Sequence, residues 1–95
     1  MACERWERLM AWAEREGNKA KALEFKEKLV ECIVYQVQSL IAERRLDDAE
    51  TLIKQGREVA NKYAIEELSF HLDLNERRIK SIRERRAAAA KAQSS

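Results

Sequence analysis

The sequence predicts an all-α protein, an antiparallel hairpin or bundle of three to four helices with a coiled-coil-like C-terminal helix. The 95-residue chain has no proline and only two glycines, whereas a sheet protein of this size needs several tight turns. Hydrophobic residues make up 45% of the chain, which is enough for a folded core. We therefore expect one helical domain over residues 1–86, followed by an Ala-rich tail over residues 87–95 that frays.

The first helix is predicted from Ala2 to Glu16, where apolar residues recur at helical spacing. Trp12 lies at the edge of this apolar stripe and is a candidate contact for a partner. Gly17 supplies a left-handed residue that ends the helix, and Asn18 is suited to cap the next one. So short a break predicts that the first two helices fold back on each other as a hairpin.

The second helix is predicted from Lys19 to about Arg45. The β-branched residues between Leu29 and Val37 would also suit a strand, but nothing turn-like flanks them and the helical period continues to Ile41. A helix that is apolar over so much of its circumference is usually covered on two sides. This helix is therefore predicted to be the central one.

The third helix is predicted to begin at an acidic segment, with Asp47 as its cap and Glu50 completing a capping box. Gly56 lies in its middle, where a glycine costs about 1 kcal/mol relative to alanine. Because Gly56 falls on the apolar stripe, it indicates a close crossing of two helices. Whether residues 61–64 form a turn or a change of phase in one long helix is left open.

The last helix carries an apolar seam at the heptad spacing of a coiled coil. One seam position is polar, and a buried asparagine there often fixes register and partner number. We expect a protein partner or a second copy to cover the seam, although an intramolecular contact remains an alternative. The predicted partner-binding residues are Ile65, Leu68, Leu72, Asn75, Ile79 and Ile82, with Phe70 and Leu74 packing on the other side of the helix and Trp12 as a further contact.

Charge is unevenly distributed, although the net charge is only +2. Residues 64–76 carry a net charge of −4, and residues 77–91 carry +6. Such neighbouring blocks favour self-association, or contact of the basic helix end with an acidic partner or a nucleic acid. No aromatic residue lies among these bases, which argues against stacking on single strands by this segment. The candidate nucleic-acid contacts are Arg77, Arg78, Lys80, Arg83, Arg85 and Arg86.

The sequence offers little for catalysis, a metal or a cofactor. His71 is the only histidine, and no glycine-rich loop is present. Cys3 and Cys32 match no metal or redox spacing, so they are predicted to be free thiols, with a disulfide as the alternative. Neither a signal-like N-terminus nor a stretch long enough to span a bilayer is found. We therefore predict a cytoplasmic protein that is not an enzyme, has no cofactor or metal, and does not contact a membrane.

Two segments resemble the turn and second helix of a tetratricopeptide repeat. The first covers residues 9–29 and includes Gly17, Ala22 and Leu23, and the second runs from Arg45 through Ala60. The two segments lie closer together than the repeat length of that family, and no proline ends either one. These departures favour a hairpin or bundle over a solenoid. The resemblance implies protein binding.

Two functions follow from these patterns. The leading hypothesis is a non-catalytic protein–protein interaction module, such as an adaptor, an assembly chaperone or an inhibitor, that acts through the seam and forms a homodimer at micromolar concentration. The alternative is a nucleic-acid-binding protein that uses the basic C-terminal helix. Added salt distinguishes the two, because it weakens phosphate contacts steeply and leaves an apolar contact intact.

Overall fold

The computed structural model describes residues 2–93, and this part of the chain forms four α-helices and no strand. Helix α1 spans Glu4–Arg15, α2 spans Lys19–Ala42, α3 spans Leu46–Tyr63 and α4 spans Glu66–Gln93. The bundle is elongated, with extents of 63 × 20 × 16 Å. The predicted all-α class and the number of helices are confirmed.

Helix α2 is central, as its apolar circumference predicts, since it packs against each of the other three helices. Helices α3 and α4 run antiparallel, because Arg57 pairs with Asp73 while Arg83, further along α4, pairs with Asp47 near the start of α3. Helix α1 packs along the first half of α2. The other side of α1 is linked to the end of α3, because the Tyr63 hydroxyl donates a hydrogen bond to Glu7 at 3.0 Å. The pKa of Tyr63 is raised, mainly by its burial and then by this hydrogen bond.

The first turn forms as predicted and the second does not. Gly17 is left-handed at φ +71°, and Asn18 caps α2 by accepting a hydrogen bond from the backbone N–H of Lys21 at 3.0 Å. Helix α3, however, begins at Leu46 with Arg45 as its N-cap and no side-chain cap. The predicted capping box is therefore wrong. Asp47 already lies within the first turn of α3, where its carboxylate pairs with another helix.

The third turn resolves the open question about residues 61–64. Helix α3 ends at Tyr63, and Ala64 is left-handed at φ 53°. The N–H of Ile65 then donates to the carbonyl of Ala60 at 2.9 Å, which satisfies the end of α3. These residues therefore form a turn between two helices.

The heptad seam, which runs from Ile65 just before α4 to Ile82 within it, lies inside the chain's own core. Its six residues are each at most 9% exposed and pack against α2 and α3. The seam is intramolecular, so the expectation that a partner or a second copy covers it is corrected. Two apolar helices of the same chain already cover this face. The buried Asn75 satisfies its side chain locally, since Nδ2 donates to the carbonyl of His71 at 2.8 Å.

Gly56 lies at a close helix crossing, as its position on the stripe predicts. A methyl group at this position would lie 3.1 Å from Leu72 Cδ1 and 3.2 Å from Ile33 Cγ2. Helices α2, α3 and α4 meet at this point. The glycine lets the side chains of Leu72 and Ile33 pack close to the backbone of α3, where a methyl group would require them to shift by a few tenths of an ångström.

Cys3 and Cys32 form a disulfide, with their Cα atoms 5.8 Å apart. This corrects the prediction of free thiols. The antiparallel hairpin explains the pairing, because the two cysteines lie at nearly equal distances in sequence on either side of Gly17. The bridge fixes the start of α1 to the middle of α2.

Helix α4 continues beyond the rest of the bundle. Beyond Arg83, which still contacts the start of α3, every side chain from Glu84 to Gln93 is exposed, because α3 starts at Leu46 and offers nothing further to pack against. These ten residues extend the helix by about 15 Å. That the tail frays stays a prediction, and residues 94 and 95 of it lie outside the described part of the chain.

Candidate nucleic-acid interface

Five of the six predicted nucleic-acid contacts form an exposed basic surface on the second half of α4. We call this surface the basic helix end. All five side chains are exposed, and within residues 2–93 none of them forms an ion pair with a carboxylate. Their charges are therefore available to an anionic partner. The basic helix end consists of Arg77, Arg78, Lys80, Arg85 and Arg86.

Arg83, the sixth predicted contact, is held within the fold. Its guanidinium pairs with Asp47 at 2.6 Å and with Glu50, both in the first part of α3. The structure thus shows that Arg83 differs from the neighbouring basic residues in being ion-paired. The sequence alone does not show this difference. Its substitution would disturb the contact of α3 with α4 as well as any external contact.

A second cluster of ion pairs joins α3 to an earlier part of α4 than Arg83. Arg57 pairs with Asp73 at 2.8 Å and with Glu76. Hydrogen bonds to Glu76, and then to Asp73, raise the pKa of Arg57. The acids of the −4 segment are thus partly neutralised within the chain.

The basic helix end extends around the helix instead of forming a single row. Arg78 and Arg85 are seven residues apart, so they share a face and are separated by about 10 Å along the axis. Arg77 and Lys80 line the groove that holds the ion pairs between α3 and α4. Arg86 lies where the seam would continue if α3 were longer. An anion can therefore approach this end of the helix from several sides.

The turn between α2 and α3 contains a further basic residue near the basic helix end, and the sequence analysis did not identify it as a candidate contact. Because Arg83 contacts the first turn of α3, this turn lies at the same end of the bundle as Arg85 and Arg86. Its Arg44 is left-handed at φ 62°, and its guanidinium donates to the carbonyl of Ile41 at 2.9 Å. In the sequence, Arg44 reads only as a favourable residue at a helix end, and this role is also observed.

The residues predicted to bind a protein partner are not brought together on one surface. The six seam residues are in the core. Phe70 and Leu74 are 58% and 43% exposed on the outward side of α4, whereas Trp12 is 47% exposed on α1, a helix that does not pack against α4. Three exposed side chains on two separate helices do not form one contact surface.

Neither a metal centre nor a membrane span is found in residues 2–93. In the described part of the chain, no three His, Cys, Asp or Glu side chains are grouped so as to hold a metal ion. None of the four helices described is both long enough and apolar enough to cross a bilayer.

A comparison with protein families matches residues 2–86 to the family described as archaeal ribosomal protein aL49. No curated protein matches the sequence. The family match contradicts two interpretations of the sequence. The resemblance to tetratricopeptide repeats is wrong, and so is the main hypothesis of an adaptor, assembly chaperone or inhibitor. Ribosomal proteins are structural components of the ribosome, so the chain is not an enzyme.

Proposed function

The chain belongs to the archaeal ribosomal protein aL49 family, and from this premise we propose that it is a structural component of the ribosome that binds ribosomal RNA through the basic helix end. The proposal depends on the contrast between the basic side chain of α4 that pairs with carboxylates and those that do not. Arg83 is neutralised by α3, whereas the five residues of the basic helix end have no carboxylate partner within residues 2–93.

Unpaired arginines and lysines on a helix that extends from its bundle suit contact with the RNA backbone. Each phosphate that such a side chain neutralises releases condensed counterions, and this supplies much of the affinity of a protein for a nucleic acid. Arginine also binds phosphate oxygens with two parallel hydrogen bonds. Contacts of this kind fix position without reading sequence. The proposed role is therefore to hold a segment of ribosomal RNA in place.

The proposal also includes the partners and the location. Ribosomal RNA and neighbouring ribosomal proteins are the partners that the family supports, and the ribosome in the cytoplasm is the proposed location. Self-association is not part of the proposal, because the seam that suggested a homodimer is buried in the core.

The proposal predicts the effect of replacing Arg78, Arg85 and Arg86 together with glutamine. Because this variant can no longer neutralise three of the phosphates, we expect the slope of log affinity against log salt to fall by about 2–3 units. Folding should change little, because exposed charges contribute about 0–1 kcal/mol each. The measurement is fluorescence anisotropy of a labelled fragment of archaeal ribosomal RNA, titrated at several KCl concentrations, with circular dichroism melts as the test of folding.

A control variant with the same loss of charge replaces Lys19, Lys28 and Lys54 with glutamine. These lysines are exposed and form no ion pair with a carboxylate within residues 2–93, and they lie on α2 and α3 instead of on α4. We expect this variant to keep the wild-type salt slope to within about one unit. Equal slopes for the two triple variants would show that only net charge matters and would contradict the proposed interface.

A further inference from the structure

The outward face of α1 carries three arginines that form no ion pair with a carboxylate within residues 2–93, together with a tryptophan, and no assigned role explains them. Its members are spaced by three, four and three residues, so they form one stripe along the helix. The opposite face holds the buried Met10 and Ala13, which pack into the core. All four members are exposed. The arginine–tryptophan stripe consists of Arg5, Arg8, Trp12 and Arg15.

Trp12 is the aromatic member of the stripe and is not needed by the core. Its side chain is 47% exposed, whereas the other tryptophan, Trp6, packs against Phe25 with a distance of 6.3 Å between ring centroids. An indole left half in water on a helix exposes a large apolar surface at a cost to solvation. A ligand with a flat apolar face would remove that surface from water.

The charges around Trp12 indicate which kind of ligand fits. Arg8 and Arg15 lie one turn before and after Trp12, and neither pairs with a carboxylate within residues 2–93. Arg5 lies over the Trp6 ring at 5.6 Å. Glu4 and Glu16 lie beside the stripe at its two ends, and Glu7 and Glu14 line a groove together with Arg8 and Arg15 without forming an ion pair with either arginine. A purely apolar partner would bury these arginines without counter-charges, whereas an RNA strand supplies both a base and phosphates.

We propose that the arginine–tryptophan stripe is a second RNA contact, which takes an unpaired base on Trp12 and the adjoining phosphates on Arg8 and Arg15. This inference rests on the proposed function and specifies a different RNA element. The basic helix end contains no aromatic residue and contacts the backbone of any RNA, whereas the stripe requires a base that is free to leave its stack. The two surfaces lie on helices that do not pack against each other.

Tryptophan fluorescence tests this contact directly. Stacking of a base on an indole quenches its emission, so we expect emission from the wild-type protein to fall when single-stranded oligoadenylate of 12 nucleotides is added. Trp12→Phe retains only Trp6, which is packed against Phe25, and its emission should stay nearly constant in the same titration. Equal quenching in the two proteins would overturn the proposal.

Affinity measurements with two substitutions separate stacking from charge. Trp12→Ala should weaken binding of the oligoadenylate about 5- to 150-fold, because stacking of one base contributes about that factor. Trp12→Phe should restore most of the affinity, since phenylalanine also offers a ring face. Both variants should bind an RNA duplex within about twofold of wild type, because the bases of a duplex are not free to stack on a side chain.

The outcomes distinguish failure of this inference from failure of the proposed function. If the duplex binds with the salt slope of the basic helix end while Trp12→Ala leaves oligoadenylate binding unchanged, the stripe is not an RNA contact and the proposed function stands. If neither RNA binds, both proposals fail. A blue shift of Trp12 emission with protein concentration alone would identify a second copy as the occupant and would also overturn the inference.

Discussion

The substitution Leu72→Asp is expected to remove a large part of the protein's folding stability. Leu72 is fully buried and lies against Gly56 where α2, α3 and α4 meet. A carboxylate there loses its hydration with no base to pair with, and it cannot replace the apolar packing of the leucine side chain. We expect a loss of about 4 kcal/mol or more, from a total of about 5–14 kcal/mol for a chain of this length. Thermal melts followed by circular dichroism measure the change.

Leu74→Asp is the matched control, because it makes the same chemical change two residues further along the same helix. Leu74 is 43% exposed, so its carboxylate would remain in water. We expect this variant to lie within about 1 kcal/mol of wild type. Two variants with the same melting temperature would mean that α4 does not pack through the face described here.

Reduction of the disulfide is expected to destabilise the protein by about 3–4 kcal/mol. The bridge joins residues separated by 29 positions, and a closed loop of that size removes about this much chain entropy from the unfolded state. For a domain of this length the melting temperature should fall by roughly 12–30 °C. The measurement compares thermal melts of the oxidised protein with and without a thiol reductant.

The double variant Cys3→Ser, Cys32→Ser tests whether the bridge alone is responsible. It should melt at nearly the temperature of the reduced wild type and should not respond to reductant. In the reduced form, amide hydrogens of α1 should exchange faster than those of α3, because α1 loses its covalent link to the core. Two titratable thiols in untreated, folded protein would show that the bridge does not form.

The helices themselves could be predicted from local signals. Gly17 and Asn18 mark the first turn because left-handed backbone and side-chain capping depend on residues close in sequence. The cap of α3 is predicted at Asp47 but observed at Arg45. An aspartate suits either a helix cap or an ion pair, and Asp47 forms an ion pair instead of capping the helix. The actual partner of Asp47, Arg83, is 36 residues away. A cap can be read from its neighbours in sequence, but an ion pair between helices cannot.

The seam shows what an apolar pattern does not determine. Its heptad spacing correctly predicts which side of α4 is buried. The pattern is the same whether the covering helix belongs to the same chain or to another. Only the path of the chain, which brings α2 and α3 against that face, decides between the two.

The cysteines and the bases could be predicted only in part, for different physical reasons. Free thiols follow from the assumption of a reducing compartment. The pairing depends on how the hairpin aligns α1 with α2, which brings the Cα atoms of Cys3 and Cys32 to 5.8 Å. The basic segment is evident in the sequence, but sorting its residues requires knowing that α3 neutralises Arg83 and leaves Arg85 and Arg86 free.

The disulfide also changes what a cut in the backbone would do. Gly17 and Asn18 form an exposed turn that lies between the two bridged cysteines. A protease that cleaves this turn would produce two fragments that migrate together on a gel until reductant separates them. In the cleaved molecule α1 would be a tethered peptide ligand of α2, held at an effective concentration far above that of the free fragment. Because the bridge links α1 to α2 directly, an intact backbone at Gly17 is not needed to keep α1 in place.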